Sequence, residues 1–220
     1  MTTRTLALPD WAVRSLDEQR LTQWRVPLKV QPPEWCSDGA GFSTFTPDGH
    51  VEFRGQSPEG YGSKFIKLPF VSGQLRWVQE TWARVPRTAY LHSDGIEQAG
   101  DPSDSDMAAI YKHGFGRCCG GFGWRSPVTM PRWASRWTLT VESVRVCRLW
   151  DASEADAKAE GHYPSGMDDA GRFYDPATGE GGSYRAGYAT HWSQRHYWRW
   201  QRNDWCAVAT WRAERRNVDA

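Results

Sequence analysis

The sequence has no C-x-x-C pair among its 5 cysteines, no glycine-rich phosphate loop, no long apolar run and a formal net charge of only +1. Each absence excludes something. Cys36, Cys118, Cys119, Cys147 and Cys206 form an odd set whose spacings suit neither a zinc ribbon nor a redox pair, and the vicinal Cys118-Cys119 reads as a loop coincidence. The histidines are scattered, and the spacing of His191 and His196 is poor for one helix face, so no metal and no cofactor is expected. Neither G-x-x-x-x-G-K-[ST] nor G-x-G-x-x-G with an acidic partner occurs, which argues against phosphate-loop nucleotide chemistry. No apolar stretch approaches the roughly 20 residues of a membrane span. The first residues lack a basic segment followed by an apolar one. These features together imply a soluble cytoplasmic chain with reduced thiols and no membrane partner. With so little net charge, any nucleic-acid site has to be a local patch.

What is present is indole: 14 Trp against 4 Met, a bias toward β-structure, large packing contacts or exposed stacking surfaces. Residues 75–82 alternate as a strand, with Leu75, Trp77, Gln79 and Thr81 on one face and Arg76, Val78, Glu80 and Trp82 on the other. Residues 124–136 form a proline-punctuated loop in which Arg125, Arg132 and Arg136 alternate with Trp124 and Trp133. Guanidinium groups among indoles suit phosphates and unstacked bases; the competing reading is a tryptophan core with solvated arginines. A second strand follows over 137–149, with a parity change that a bulge near Glu142 and Ser143 would accommodate.

In a chain of 220 residues these stretches sit within one large domain. Residues 9–20 suit a helix capped by Asp10, and residues 21–26 an extended segment stopped by Pro27. Asp48-Gly49 marks a hairpin within 42–53, and a short strand is expected over 65–70. Residues 90–95 read as a strand ending in a turn, and 96–123 as an irregular insertion. The clearest helix follows Ser153, with Asp156 in the capping-box position and Gly161 where a terminating glycine belongs. Residues 163–187 read as a loop, 188–200 as a helix presenting Tyr188 and Trp192, and 205–212 as a last strand before a frayed tail. This order suggests a small curved β-barrel with helices plugging its ends.

Three blocks carry a resemblance: Arg76-Trp-Val-Gln-Glu-Thr-Trp82, Met130-Pro-Arg-Trp-Ala-Ser-Arg136, and the run from Val144 to Gly161. They closely resemble phage and prophage proteins of the ASCH type, in the PUA-like superfamily, whose phage members are often labelled only hypothetical or morphogenetic. The likeness covers residues 16–211, with insertions near 31–63, 96–123 and 163–187. It implies one α+β domain over 1–220, a PUA-like (ASCH) small curved β-barrel with capping helices and long loop insertions. Relatives bind RNA or modified nucleobases in a cleft between barrel and helices. Some are amidohydrolases of an acylated cytidine nucleoside, and others are reported as ribonucleases. The hydrolases use Lys and Thr in a Gly-Arg-Lys-Thr-x-Thr segment and a Glu at the end of the later capped helix. The corresponding residues here run from Gln19 to Trp24, placing Leu21 at the lysine and Trp24 at the second threonine, while Glu160 keeps the glutamate. Leucine cannot move a proton, so the likeness points to a member without that chemistry.

The candidate site residues follow. Glu160 is a catalytic carboxylate, a base-edge acceptor or a plain helix-end residue. Arg20 and Thr22 survive beside the altered segment, and Trp24 is either a stacking platform or core. Arg76 and Glu80 line a cleft or pair structurally. Arg132 and Arg136, flanking Trp133, reach phosphate or solvent. The expected function is binding of RNA, single-stranded nucleic acid or a modified nucleoside inside a bacterial host. The alternatives are a hydrolase using Glu160, and an assembly factor that contacts a phage structural protein.

Overall fold

The computed structural model describes residues 3–36, 42–117, 123–164 and 182–220. The chain runs β1 (Arg4–Ala7), α1 (Asp10–Asp17), β2 (Gln23–Pro27), β3 (Phe42–Phe45), β4 (His50–Ser57), β5 (Gly60–Lys67), β6 (Leu75–Gln79), β7 (Trp82–Pro86), β8 (Gln98–Asp101), β9 (Asp104–Tyr111), β10 (Thr138–Arg148), α2 (Glu154–Ala159), α3 (Tyr184–Arg195), α4 (Tyr197–Gln201) and β11 (Trp205–Glu214). The class is α+β, mostly strands with a few short helices. No helix among the described residues is long and apolar enough to cross a membrane. Two compact units interleave in sequence: the first holds residues 1–21, 74–140 and 212–220, the second 22–73 and 141–211.

In the first unit β1 runs parallel to β6, with Arg4 opposite Arg76, and the start of β10 pairs antiparallel to β6, with Thr138 opposite Trp77. The strand expected over 75–82 breaks at Glu80–Thr81, and the chain enters a second sheet ordered β7-β9-β8. Alternation gives that sheet two apolar faces. Trp82, Ala109 and Tyr111 pack with Met130 and Ala134 on one, and Ala83, Val85 and Ile110 with Phe115 and Trp124 on the other. The insertion expected to be irregular over 96–123 therefore supplies β8 and β9, while 90–95 forms turns instead of a strand. The frayed tail is also corrected. Asn217 Nδ2 donates to the carbonyls of Arg132, Trp133 and Ser135, and Asp219 pairs with Arg132.

In the second unit β2 pairs antiparallel with β11, and β3, β4 and β5 form a three-stranded sheet. Gly49, at φ 82°, makes the turn between β3 and β4, as the Asp48-Gly49 step predicts. Helix α2 carries the expected capping box: Ser153 Oγ accepts from the Asp156 amide, the Asp156 carboxylate accepts from the Ser153 amide, and Gly161 ends the helix at φ 76°. Beside it, α3 and α4 break at His196, and Tyr188 and Trp192 are buried with Leu149, Ala157 and Cys206. Asp10 does not cap α1. Pro9 holds that position, and the Asp10 carboxylate accepts from Thr81 Oγ1 at 2.6 Å.

The expected barrel is not formed. Among the described residues every sheet is open. A closed barrel needs each strand bonded on both sides. Cys118, Cys119 and most of the loop expected over 163–187 lie outside the described residues.

Candidate functional site

The first unit contains a cleft of about 440 Å³, lined by Asp17, Glu97, Tyr111, His113, Phe115, Arg136 and Arg215 among others. Arg136 lines it, and Arg136 is held in turn by Glu80. The end of β6 leads to Glu80, and the 3₁₀ turn Arg132–Ala134 leads to Arg136. Arg136 donates from Nε and Nη2 to the two Glu80 oxygens, each at 2.8 Å, and from Nη1 to Glu97 Oε2 at 2.6 Å. Its guanidinium carbon lies 4.2 Å from the centre of the Tyr111 ring, whose hydroxyl donates to the Ala134 carbonyl. A planar, permanently charged fork can satisfy two carboxylates and a ring at once; a lysine cannot.

The network continues outward. Arg215 donates to Glu97 Oε2 and to Asp17 Oδ1, each at 2.5 Å, and Asp17 lies 3.1 Å from His113 Nε2. The wall is aromatic: Phe115 meets Tyr90 and Trp124 edge-on, both at 5.3 Å. Burial pushes the Glu80 carboxyl up, and the bidentate Arg136 contact opposes that rise. Burial would also raise Glu97, but hydrogen bonds from Arg136 and Arg215 hold it below the usual carboxylate range. The cleft thus offers fixed donors, fixed acceptors and a flat apolar wall. Such a mixture orients a small, planar, polar ligand.

A second charged cluster is buried in the second unit. Arg25 on β2 donates from Nε to Glu160 Oε1 at 2.9 Å and from Nη1 to Cys147 Sγ and the Arg148 carbonyl. Gln23 Nε2 donates to Glu160 Oε1 and Asp156 Oδ1, and Arg145 Nη2 donates to Asp156 Oδ1 at 2.5 Å. Glu160 is 3% exposed, so it is not a solvated helix end. Burial pulls its carboxyl up, against the opposing pull of the Arg25 charge and the Gln23 amide. His162 lies 3.9 Å from Glu160 and stacks edge-on against Tyr188 and His191.

Burial, then His191 and Arg25, push His162 down to about 3. The unfolded chain binds its proton near the ordinary histidine value of about 6.5. This term is therefore fully present above that pH and is lost as pH falls toward 3. We expect unfolding free energy to fall by about 1.4 kcal/mol per pH unit through this window from His162 alone. Urea unfolding at pH 7 and pH 5 checks it (pH values approximate). An equal pH dependence in His162→Phe would refute the assignment.

The structure brings only part of the predicted site set together. Glu80 and Arg136 meet, although each was read separately. Arg20 donates to Glu18 and Ser15 at the end of α1. Thr22 is exposed and Trp24 half-buried on β2. Arg76 is buried on β6, donates to the Thr5 carbonyl, and is pushed down to about 10 by burial and the charge of Arg4. Arg132 forms an exposed two-pronged pair with Asp219, and Trp133 packs beside Met130 and Ala134. The loop's arginines are therefore carboxylate-paired or, as with Arg125, stacked over Trp82 at 5.2 Å. Sequence reasoning missed Asp17, Glu97, Tyr111, His113, Phe115 and Arg215, and in the second unit Gln23 and Arg25. The apolar run Met107–Tyr111 after an Asp-Pro-Ser-Asp turn was the available signal for β9.

Compared with known proteins, the chain matches no family model, no curated protein and no solved structure.

Proposed function

We propose that the chain is a binding module for a nucleobase-bearing ligand, a free or modified nucleoside or one unstacked base of an RNA, and that the ligand enters the cleft of the first unit. One observation carries this reading: the linked Arg136–Glu97–Arg215–Asp17 network lies beside the Phe115 wall in a cleft of about 440 Å³. That volume falls within the range of roughly 300–1,000 Å³ typical of small-molecule sites. A base stacked on an aromatic wall needs donors and acceptors at its edge, and the network supplies both. The ASCH-type likeness of the sequence, PUA-like and of phage origin, supports the same ligand class. The buried Glu160 ion pair favours a module over a hydrolase, because the carboxylate is enclosed and already engaged.

Arg215 sits at the mouth and is half-exposed. We expect Arg215→Ala to fold normally and to weaken nucleoside binding about tenfold, equivalent to roughly 1.4 kcal/mol. Calorimetry with a panel of plain and base-modified nucleosides checks this. Salt-insensitive binding would identify a free nucleoside, and binding only of RNA with a steep salt dependence would identify a strand. No binding by any member, or affinity unchanged in Arg215→Ala, would overturn the reading.

A further inference from the structure

The second unit exposes aromatic side chains that its core does not use. Trp198 is 75% exposed, Tyr197 52% and Trp150 45%. Tyr197 and Trp198 lie 5.3 Å apart, and Trp150 stands 6.0 Å from Trp200 while donating from Nε1 to its carbonyl. Large apolar side chains exposed together as a patch mark a contact surface, where one exposed alone would not.

The segment that carries Tyr197 and Trp198 has basic side chains and no acidic ones. Residues 184–202 contain Arg185, Arg195, Arg199 and Arg202 and no carboxylate. Arg199 and Arg202 both lean on Asp204, whose carboxylate is buried. One carboxylate neutralises one guanidinium, so the trio keeps a net positive charge at the surface. Among the described residues nearby, Glu154 accepts from the Tyr184 and Arg185 amides and Asp151 from the Arg148 amide. Burial, then the charges of Arg199 and Arg195, lower the His196 pKa, consistent with a local positive field.

We propose that the surface formed by Trp150, Tyr197, Trp198, Arg199 and Arg202 binds single-stranded nucleic acid, with bases stacking on the exposed rings and phosphates meeting the guanidinium groups. Exposed rings and cations of one sign complement a polyanion whose bases present flat faces. A duplex buries those faces within its own stack and is a poorer fit. The surface shares no residue with the cleft, and the proposal does not rest on it.

The test is fluorescence anisotropy of a labelled oligouridylate of about 12 nucleotides, a length near the site sizes of such binders. The protein is expected to bind, with log K falling with log salt at a slope of about −1.4 to −2.1, as for two or three phosphate contacts. Trp198→Ala is expected to weaken binding at least fivefold, and Trp198→Phe, which keeps a ring, to restore most of it. The exposed position makes both variants safe for folding. Three results would overturn the proposal: no binding by the unaltered protein, unchanged affinity in Trp198→Ala, or self-association in light scattering that Trp198→Ala abolishes with no effect on the oligonucleotide. If no nucleoside enters the cleft, the oligonucleotide result still stands by itself.

Discussion

Glu160→Ala is expected to destabilise the protein by about 3–5 kcal/mol, the cost of stranding one member of a buried ion pair. The Arg25 side chain is fully buried, and Glu160 is its closest carboxylate, at 2.9 Å against 4.0 Å for Asp156. Removing Glu160 also strips an acceptor from Gln23. A domain with a total stability of about 5–15 kcal/mol would lose a large share of it. Glu160→Gln, which keeps an acceptor but loses the charge, should cost less, about 1.5–3 kcal/mol. The double variant Arg25→Met with Glu160→Leu should recover most of the loss, because apolar side chains of similar volume can replace a buried pair without penalty. Urea unfolding of the unaltered protein, Arg25→Met, Glu160→Leu and the double variant measures the coupling, and the same measurement on Glu160→Ala and Glu160→Gln gives their losses. If Glu160→Ala cost less than about 1 kcal/mol, the pair would not be holding the second unit together. Loss of an enzymatic turnover with stability intact would restore a catalytic role to this carboxylate.

Arg136→Met should be equally severe in the first unit, at about 3–5 kcal/mol, and should also abolish ligand binding in the cleft. It leaves Glu80, which is 1% exposed, without either of its two guanidinium bonds. It also frees Glu97 from one of two cationic partners and removes the cation above Tyr111. Adding Glu80→Gln should recover about 1–3 kcal/mol, since a neutral amide is far cheaper to bury than an unpaired charge. That rescue should not bring back ligand affinity, because the Arg136 donors of the cleft stay missing. Stability measured by urea and affinity by calorimetry separate the two effects. An Arg136→Met protein with full stability and full nucleoside affinity would defeat both the structural and the functional assignment.

Local signals carried much of the fold. Asp48-Gly49 marks its turn because few residue pairs tolerate that backbone, and Gly49 adopts φ 82°. The Ser153, Asp156 and Gly161 pattern specifies α2 because each residue satisfies a helix-end group through its own near neighbours. The β8–β9 hairpin was not legible in the same way. Its apolar run Ala108–Tyr111 is buried along its whole length, so it shows no alternation to separate strand from loop. The order of the tail is not legible in its sequence for a related reason. Its order comes from Asn217 donating to carbonyls more than eighty residues earlier, and nothing in its own sequence reports that.

The candidate sites divide along the same line. The sequence alone marked Arg136, Glu80 and Glu160 as residues of interest, and it set the near-zero net charge that confines any anion site to a local patch. It could not say whether those charges face a ligand or each other. Arg136 and Glu80 are 56 residues apart and Arg25 and Glu160 135 apart, yet each pair meets within hydrogen-bond distance. Turns and caps are decided by backbone groups a few residues apart and can be read from one segment. Charge pairing is decided by what the fold packs beside a group once water has left, and only the tertiary structure contains that information.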